Sequence, residues 1–231
     1  MLLRFLLSAI LLFVLAPASQ SGKIGDPFEA LREGMLKHSD SRMQVFFESW
    51  FQLSKPLRKK PKTHLQKEAE VVLETIWNPA NRHTLSWGWD ADSITHQSLP
   101  PFIVLWPSVQ IFNDSDAKPT DSLVDMFPTM LHGATTLVYD ETYVASLNKY
   151  LRYDSEHREE NQNYISKFTS FSCHLSGCGV RGEPIISSIA FKKDRHEALV
   201  HLWMEEMEIS TTLRKDHLKW KILGRQINGE E

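Results

Sequence analysis

The chain has 231 residues, of which 42% are hydrophobic and 24% are charged, as in an ordinary globular protein. Its 26 Lys and Arg residues nearly balance its 29 Asp and Glu residues, and the formal charge of -3 excludes a nucleic-acid binder that works by neutralising many phosphates. Two cysteines exclude a disulfide framework and a four-thiolate metal site.

The first 18 residues have the pattern of a secretory signal peptide. Arg4 precedes an apolar stretch from Phe5 to Leu15 that only Ser8 interrupts, and small residues follow it. As a helix this stretch would span about 16 Å, roughly half of a hydrocarbon core, which is too short for a membrane anchor. We therefore predict a signal peptide at residues 1–18 and export to the periplasm or the medium. No later segment approaches the length of a membrane span, so we expect none after cleavage.

Residues 19–231 are expected to form one α+β domain. A chain of this length buries about 70% of its unfolded surface in a single core. The alternative is a helical part at residues 19–55 that is only loosely attached to the rest.

Three helices are predicted in the first part of the mature chain. Asp26-Pro27 is typical of a helix start, because Asp caps the first turn and Pro needs no hydrogen-bond donor there. Apolar residues at helical spacing predict a second helix that includes residues 43–51. Thr63 and Gln66 fit a capping box at the start of a third helix.

Two segments between the predicted elements have a functional alternative. Residues 55–62 carry five positive charges, which would suit an anionic lipid or a cell-wall polymer. A single basic loop without aromatic support is more typical of a solvated connection. Trp87 and Trp89 would share one face of a strand, where exposed rings would stack on a sugar and buried rings would belong to the core. We interpret the basic segment as a solvated loop and the two Trp rings as core.

The central part of the chain predicts strands and short helices. Residues 101–112 predict a strand, with Pro107 at an edge or a bulge. Residues 134–139 predict a short strand, and Asp140 is a suitable N-cap for the helix that follows. A polar helix is expected over residues 155–168.

The last third predicts an antiparallel meander of three long strands. Residues 185–192, 198–213 and 219–227 are rich in β-branched and aromatic residues and are separated by short polar turns. Short turns can join antiparallel strands only. We therefore expect an α+β fold, with amino-terminal and central helices packed on a curved antiparallel sheet that ends in this meander.

Cys173 and Cys178 predict a disulfide in an exported chain. Five residues of extended strand would separate their Cα atoms by about 17 Å, and a disulfide needs less than about 7 Å, so the chain must turn between them. The alternatives are a zinc site that includes His174, which would need a fourth ligand from elsewhere, and a redox pair, which more typically has the spacing C-x-x-C.

His201 is the most informative of the ten histidines. It lies in a predicted strand between Val200 and Leu202 and shares a face with Trp203. On such a face a lone His is more often a hydrogen-bonded core residue. If the sheet curves into an open cone, His201 and Trp203, with Glu205 beyond them, would line a cavity suited to acid-base chemistry.

Sequence motifs of catalysis and of cofactor binding are missing from the chain. It contains no H-x-x-x-H, no G-x-S-x-G, no Walker loop and no G-x-G-x-x-G. We therefore expect no metal and no cofactor, and an enzyme is the less favoured class.

Three features follow one another along the chain. An amino-terminal helix contains two Phe and a Trp, a strand-then-helix unit follows, and the chain ends in a meander of the form I-x-F-x-K-D, A-L-V and K-W-K-I. With these motifs the chain resembles a loose family of exported bacterial proteins of unknown function. The meander is also similar to the last strands of the NTF2-like cone fold, which hosts enzymes and binding modules alike. The residues concerned are Phe46, Phe47 and Trp50, residues 134–139 and 143–151, and residues 189–194, 198–200 and 219–222.

Two hypotheses for function follow. The first is a non-enzymatic binding or interaction module of the cell envelope or the secreted fraction, which takes a protein or a small-molecule ligand through the concave face of its sheet. The second is a small hydrolase or isomerase that uses His201 with a nearby carboxylate.

Overall fold

The described part of the chain forms five α-helices and eleven β-strands. The computed structural model describes residues 25–57, 63–78, 81, 99–106, 109–113, 118–122, 130–174, 177–180, 185–204 and 207–230. The predicted signal peptide at residues 1–18 lies outside these residues, as do Trp87 and Trp89. None of the described helices is long and apolar enough to cross a membrane.

The helices are α1 (Pro27–Lys37), α2 (Asp40–Ser54), α3 (His64–Ile76), α4 (Glu141–Asn148) and α5 (Arg158–Ile165). The strands are β1 (Phe102–Leu105), β2 (Gln110–Asn113), β3 (Asp121–Ser122), β4 (Met130–Leu131), β5 (Ala134–Val138), β6 (Ser172–His174), β7 (Gly177–Gly179), β8 (Ile185–Phe191), β9 (Glu197–Met204), β10 (Met207–Asp216) and β11 (Lys219–Glu230).

Side-chain caps start three of the helices where the sequence predicts them. The Asp26 carboxylate accepts a hydrogen bond from the backbone N–H of Phe28 at 3.0 Å. Thr63 and Gln66 form the predicted capping box, and Asp140 accepts from two backbone N–H groups of α4. Each cap satisfies donors that the first turn of a helix leaves open, so local sequence decides these boundaries.

The strands form three sheets, which confirms the α+β class. One sheet has the order β1-β5-β4, a second has the order β11-β10-β9-β8-β2-β3, and β6 and β7 form a separate hairpin. In the six-stranded sheet β8 to β11 are antiparallel neighbours, and β2 pairs with β8 in parallel.

The three-stranded sheet separates two hydrophobic cores. Phe102 and Val104 of β1 contact the core formed with α1, α2, α4 and α5. Ile103 and Leu105 contact the other core, which lies between α3 and the six-stranded sheet. Strands that are buried on both faces have continuous apolar sequences, and β1 reads FIVL.

α2 is joined to the end of β5 by a small buried network. The Trp50 indole N–H donates to the carbonyl oxygen of Val138 at 2.9 Å, and the N–H of Val138 donates to the Ser54 hydroxyl oxygen at 3.0 Å. Ser54 in turn donates to the carbonyl of Trp50 at 2.9 Å. The backbone N–H and the carbonyl oxygen of Val138 are therefore both hydrogen-bonded to side chains of α2.

Two predicted strands are each divided in the structure. Residues 101–112 form β1 and β2, which belong to different sheets, so the chain changes sheet between Leu105 and Gln110. Pro107, the predicted edge or bulge position, lies outside the described residues. Residues 198–213 form β9 and β10, which pair antiparallel from Met204 and Met207 onward. Glu205 and Glu206, which follow β9 in the sequence, lie outside the described residues. The meander thus has four strands instead of the predicted three.

The predicted polar helix over residues 155–168 is shorter in the structure. α5 covers Arg158–Ile165, and His157 before it has a φ of 59°, in the left-handed region. Such a residue cannot continue a right-handed helix in the amino-terminal direction.

α3 covers one face of the six-stranded sheet and is held there by apolar and charged contacts. Val72 and Ile76 of α3 are fully buried against this face. Beside them, Lys215 donates to Glu68 at 2.6 Å and the Trp220 indole N–H donates to the same oxygen at 2.9 Å. Burial alone would raise the pKa of Glu68, but the hydrogen bonds from Lys215 and Trp220 and the charge of Lys215 lower this pKa below its usual value.

Replacing Glu68 by Gln tests this contact between helix and sheet. A carboxylate whose pKa is lowered by folding contributes stability above its unfolded-state pKa, and the contribution is lost as pH falls through the folded-state value. We expect E68Q to have a lower free energy of unfolding than the wild type at pH 7. We expect the difference to shrink as the pH falls below about 4.5. Urea titrations at several pH values measure both effects.

Glu74→Gln is the control, because Glu74 is an exposed carboxylate of the same helix. Its free energy of unfolding should match that of the wild type within about 0.5 kcal/mol. A stability difference between E68Q and the wild type that is constant with pH would contradict the assignment of a lowered pKa to Glu68.

Candidate functional site

His201 lies in the middle of β9, on the face of the sheet opposite α3. Its neighbours Val200 and Leu202 are fully buried in the core beneath α3. Because side chains alternate across a strand, His201 and Trp203 lie on the other face, which we name the outer face. Both side chains are half-buried. Glu205, the third member of the predicted cavity, lies outside the described residues.

The register of the sheet aligns His201 with a polar residue on each of four other strands. Ser188 of β8 and Ser210 of β10 are its direct partners. Gln110 of β2 is paired with Ser188, and Gln226 of β11 is paired with Ser210. On β2, β9 and β10 both neighbours along the strand are buried, and on β8 Ile189 is buried beside Ser188, so this set lies on the outer face. We name these five residues the polar row.

Hydrogen bonds fix the centre of the polar row. The Ser210 hydroxyl oxygen lies 3.1 Å from Nδ1 of His201, and the side-chain amide of Asn228 donates to this oxygen at 2.6 Å. The Ser187 hydroxyl donates to the carbonyl oxygen of His201 at 3.1 Å. Because Asn228 donates to Ser210, the Ser210 hydroxyl keeps its own proton and can either donate it to Nδ1 or accept from an Nδ1 proton, so Nδ1 is the imidazole nitrogen engaged within the row.

Apolar side chains flank the polar row on both sides. On one side Phe112, Ala190 and Leu199 lie next to each other on β2, β8 and β9. On the other side Trp203 is paired with Ile185. Phe112 and Trp203 are half-buried, so each retains exposed ring surface. The apolar flanks lie on β2, β8 and β9, and on β10 the corresponding positions are the polar Thr212 and Glu208.

Charged side chains on the outer face lie at its borders. Glu197 accepts from Arg214 at 2.7 Å and is also bonded to Lys192. The hydrogen bonds from Lys192 and Arg214 lower the pKa of Glu197 below its usual value. Glu208, which is paired with Trp203, lies at the other border. The five residues of the polar row themselves include no Asp, Glu, Lys or Arg.

Cys173 and Cys178 lie at disulfide distance, as predicted, with their Sγ atoms 2.04 Å and their Cα atoms 3.9 Å apart. They are opposite each other in the hairpin of β6 and β7, so the chain turns between them. The side-chain amide of Gln162 lies 3.0 Å from Sγ of Cys178. Beyond the hairpin, the N–H of Val180 donates to Asn148 at 2.8 Å, which ties this segment to α4.

The structure keeps the two sets of predicted site residues apart. Cys178 belongs to the core of α1, α2, α4 and α5, whereas Val200 and Leu202, beside His201, belong to the core beneath α3. Among the residues that the structure describes, no group of three His, Cys, Asp or Glu residues is arranged to hold a metal ion.

A groove of about 480 Å³, which the sequence did not predict, lies between the end of α1 and the start of α5. Glu160 lies there between His38 and His157, with N–O distances of 3.6 and 3.7 Å. Both His residues have a positive φ. The side chains of His38, His157 and Glu160 are 39%, 69% and 60% exposed, so water competes for every contact that they offer a ligand.

Comparison with known proteins adds no relative. No family model matches the chain, and neither a curated protein nor a solved structure matches it. The resemblance to exported bacterial proteins and to the NTF2-like cone fold therefore stays a prediction. What can be inferred about function depends on the residues of this chain.

Removing the disulfide should destabilise the protein without disturbing the outer face. The double variant Cys173→Ser with Cys178→Ala opens a short loop, and the chain-entropy model gives a loss of about 2 kcal/mol in the free energy of unfolding. Ala is chosen at position 178 because that side chain is buried. Urea unfolding with and without a reductant measures the loss.

Reductant should lower the stability of the wild type to that of the double variant and leave the double variant unchanged. Wild-type stability that does not respond to complete reduction would contradict a stabilising role of the disulfide.

Proposed function

We propose that the protein is an exported, non-enzymatic binding module and that the polar row with its apolar flanks is its binding surface. The observation that carries the proposal is the register that aligns five polar side chains across five strands of one sheet. A sheet face that packs on a second layer of the same chain requires apolar residues. The polar row instead suits contact with water and with a ligand.

Export is supported by two independent features of the chain. Residues 1–18 have the charge, apolar stretch and small residues of a signal peptide. The Cys173–Cys178 pair lies at disulfide distance, and disulfides persist in oxidising compartments such as the periplasm and the medium.

A binding role fits the openness of the row better than catalysis does. Gln110 and Gln226 at the two ends of the row are exposed. Catalytic sites generally exclude water from the reacting groups, whereas a binding surface is effective with solvated edges.

Chemical modification of His201 tests whether the outer face is occupied where the protein works. Diethyl pyrocarbonate acylates accessible imidazole nitrogens, and mass spectrometry of peptides reads the extent at each His. We expect His201 to react less in the freshly collected exported fraction than in the purified protein, because a ligand covers the row. His217, whose side chain is 96% exposed, is the internal control and should react equally in both samples.

The amino-terminal peptide in the same spectra identifies the first residue of the mature chain and thus the site of signal cleavage. Equal reactivity of His201 in both samples would contradict a ligand on the polar row. A mature protein that retains residues 1–18 would contradict cleavage and export.

A second candidate function is the hydrolysis of an acyl ester, which the 3.1 Å contact of Ser210 and His201 favours. Here the Ser210 proton would move to Nδ1 of His201 as Oγ attacks the acyl carbon. The imidazolium would give that proton to the departing alkoxide, which leaves the acyl group on Ser210. Water would then give a proton to His201 as it attacks the acyl carbon, and His201 would return this proton to Ser210 Oγ as the acid leaves.

A fluorophosphonate probe distinguishes the two candidate functions. A hydrolase would form a covalent adduct at Ser210 that is lost in S210A and kept in Ser166→Ala, a control at an exposed serine. The binding module predicts no adduct at Ser210, and stoichiometric labelling there would overturn it.

A further inference from the structure

We infer that the ligand of the polar row is a neutral oligosaccharide whose hydroxyl groups lie along the row. This inference rests on the proposed binding function and adds the chemical class of the ligand. It follows from the hydrogen-bonding capacity, the charge, the flanking rings and the length of the outer face.

The polar row offers both donors and acceptors, which is what sugar hydroxyl groups require. Gln110 and Gln226 each carry an amide N–H₂ and an amide oxygen, and Ser188 carries a hydroxyl. With Nδ1 of His201 bonded to Ser210, Nε2 is the imidazole nitrogen left for a ligand. A hydroxyl group gives and takes a hydrogen bond at the same atom, so it can pair with every member of the row.

The charges of the outer face favour a neutral ligand. Glu197 is already paired with Lys192 and Arg214 at one border, and its lowered pKa keeps it ionised. Glu208 at the other border would repel an anionic chain. An ionic ligand would lose water without gaining a counter-charge in the middle of the row, whereas a neutral one loses little.

Two aromatic rings lie beside the row on opposite sides. Trp203 is two residues from His201 along β9, which corresponds to about 6.7 Å on one face of a strand. Phe112 is two residues from Gln110 along β2. The apolar C–H face of a sugar ring packs on such rings while its hydroxyl edge reaches the polar row.

The length of the row favours several sugar units over one. Neighbouring strands are about 4.8 Å apart, so the five side chains extend over about 19 Å. This distance is several times the width of one pyranose ring. A monosaccharide would contact only part of the row, and an oligosaccharide would contact all of it.

Isothermal titration of the purified mature protein tests the inference with four named probes. Maltohexaose, cellohexaose and hexa-N-acetylchitohexaose are neutral, and hexagalacturonate is an anionic chain of similar length. We expect at least one neutral probe to bind and hexagalacturonate not to bind. The affinity for the neutral probe should not change between low and high NaCl, because salt screens only charged contacts.

Two variants and a matched control locate the binding site. Gln226→Ala removes an exposed amide of the row and should weaken binding roughly three- to tenfold, the value of one or two hydrogen bonds. Trp203→Leu removes the ring and keeps an apolar side chain, and a similar loss is expected. Gln52→Ala removes an exposed amide from α2, which packs in the core that does not include the six-stranded sheet, and this variant should bind as the wild type does.

The outcomes separate this inference from the proposed function. Protection of His201 in the exported fraction without binding of any neutral probe would leave the binding module standing and overturn the oligosaccharide. Binding of hexagalacturonate that is tighter than binding of the neutral probes would also overturn the oligosaccharide. So would equal binding of a neutral probe by Q226A, W203L and the wild type. Absence of both protection and binding would overturn both proposals.

Discussion

The packing of α3 on one face of the six-stranded sheet decides where the side chains of that sheet lie. Val200, Leu202 and Ile209 are buried beneath the helix, and strand geometry then places the residues between them on the outer face. A shift of one residue in register would move a polar side chain into the core, at a cost of several kcal/mol. The polar row is thus a consequence of the apolar packing on the other side.

The polar row requires a matching register between neighbouring strands as well as alternation of side chains within each strand. Register shifts in the sheet fall between Ile186 and Ser188 and between Glu208 and Ile209 on one side of the row, and between Thr212 and Leu213 on the other. Within the row the pairs from Gln110 to Gln226 are continuous. Glu68 adds an ion pair between α3 and the far end of β10, which holds the helix over the strands that carry the row.

The three-stranded sheet separates the part of the molecule that holds the disulfide from the part that carries the polar row. On its one side lie α1, α2, the network around Val138 and the disulfide hairpin. On its other side lie α3 and the sheet with the polar row. We therefore expect loss of the disulfide to leave the polar row in place, and changes on the outer face to leave the network of Trp50 and Ser54 intact.

Features that depend on local sequence could be predicted, and features that depend on distant pairing could not. The helix caps at Asp26 and Thr63 and the cysteine pair involve residues a few positions apart. The division of residues 101–112 between two sheets depends on the parallel pairing of β2 with β8, far along the chain. His201 was predicted as a site residue, but its polar partners were not, because alternation on one strand contains no information about register between strands.

Cysteine labelling of two adjacent positions on β10 tests most directly whether the polar row lies on an accessible face. Ser210 belongs to the row, and Thr211 beside it is fully buried. A maleimide should label S210C in the native protein and label T211C only as fast as the protein unfolds, with the natural cysteines kept in their disulfide. Native-state labelling of T211C that is as fast as that of S210C, or faster, would contradict an outward-facing polar row.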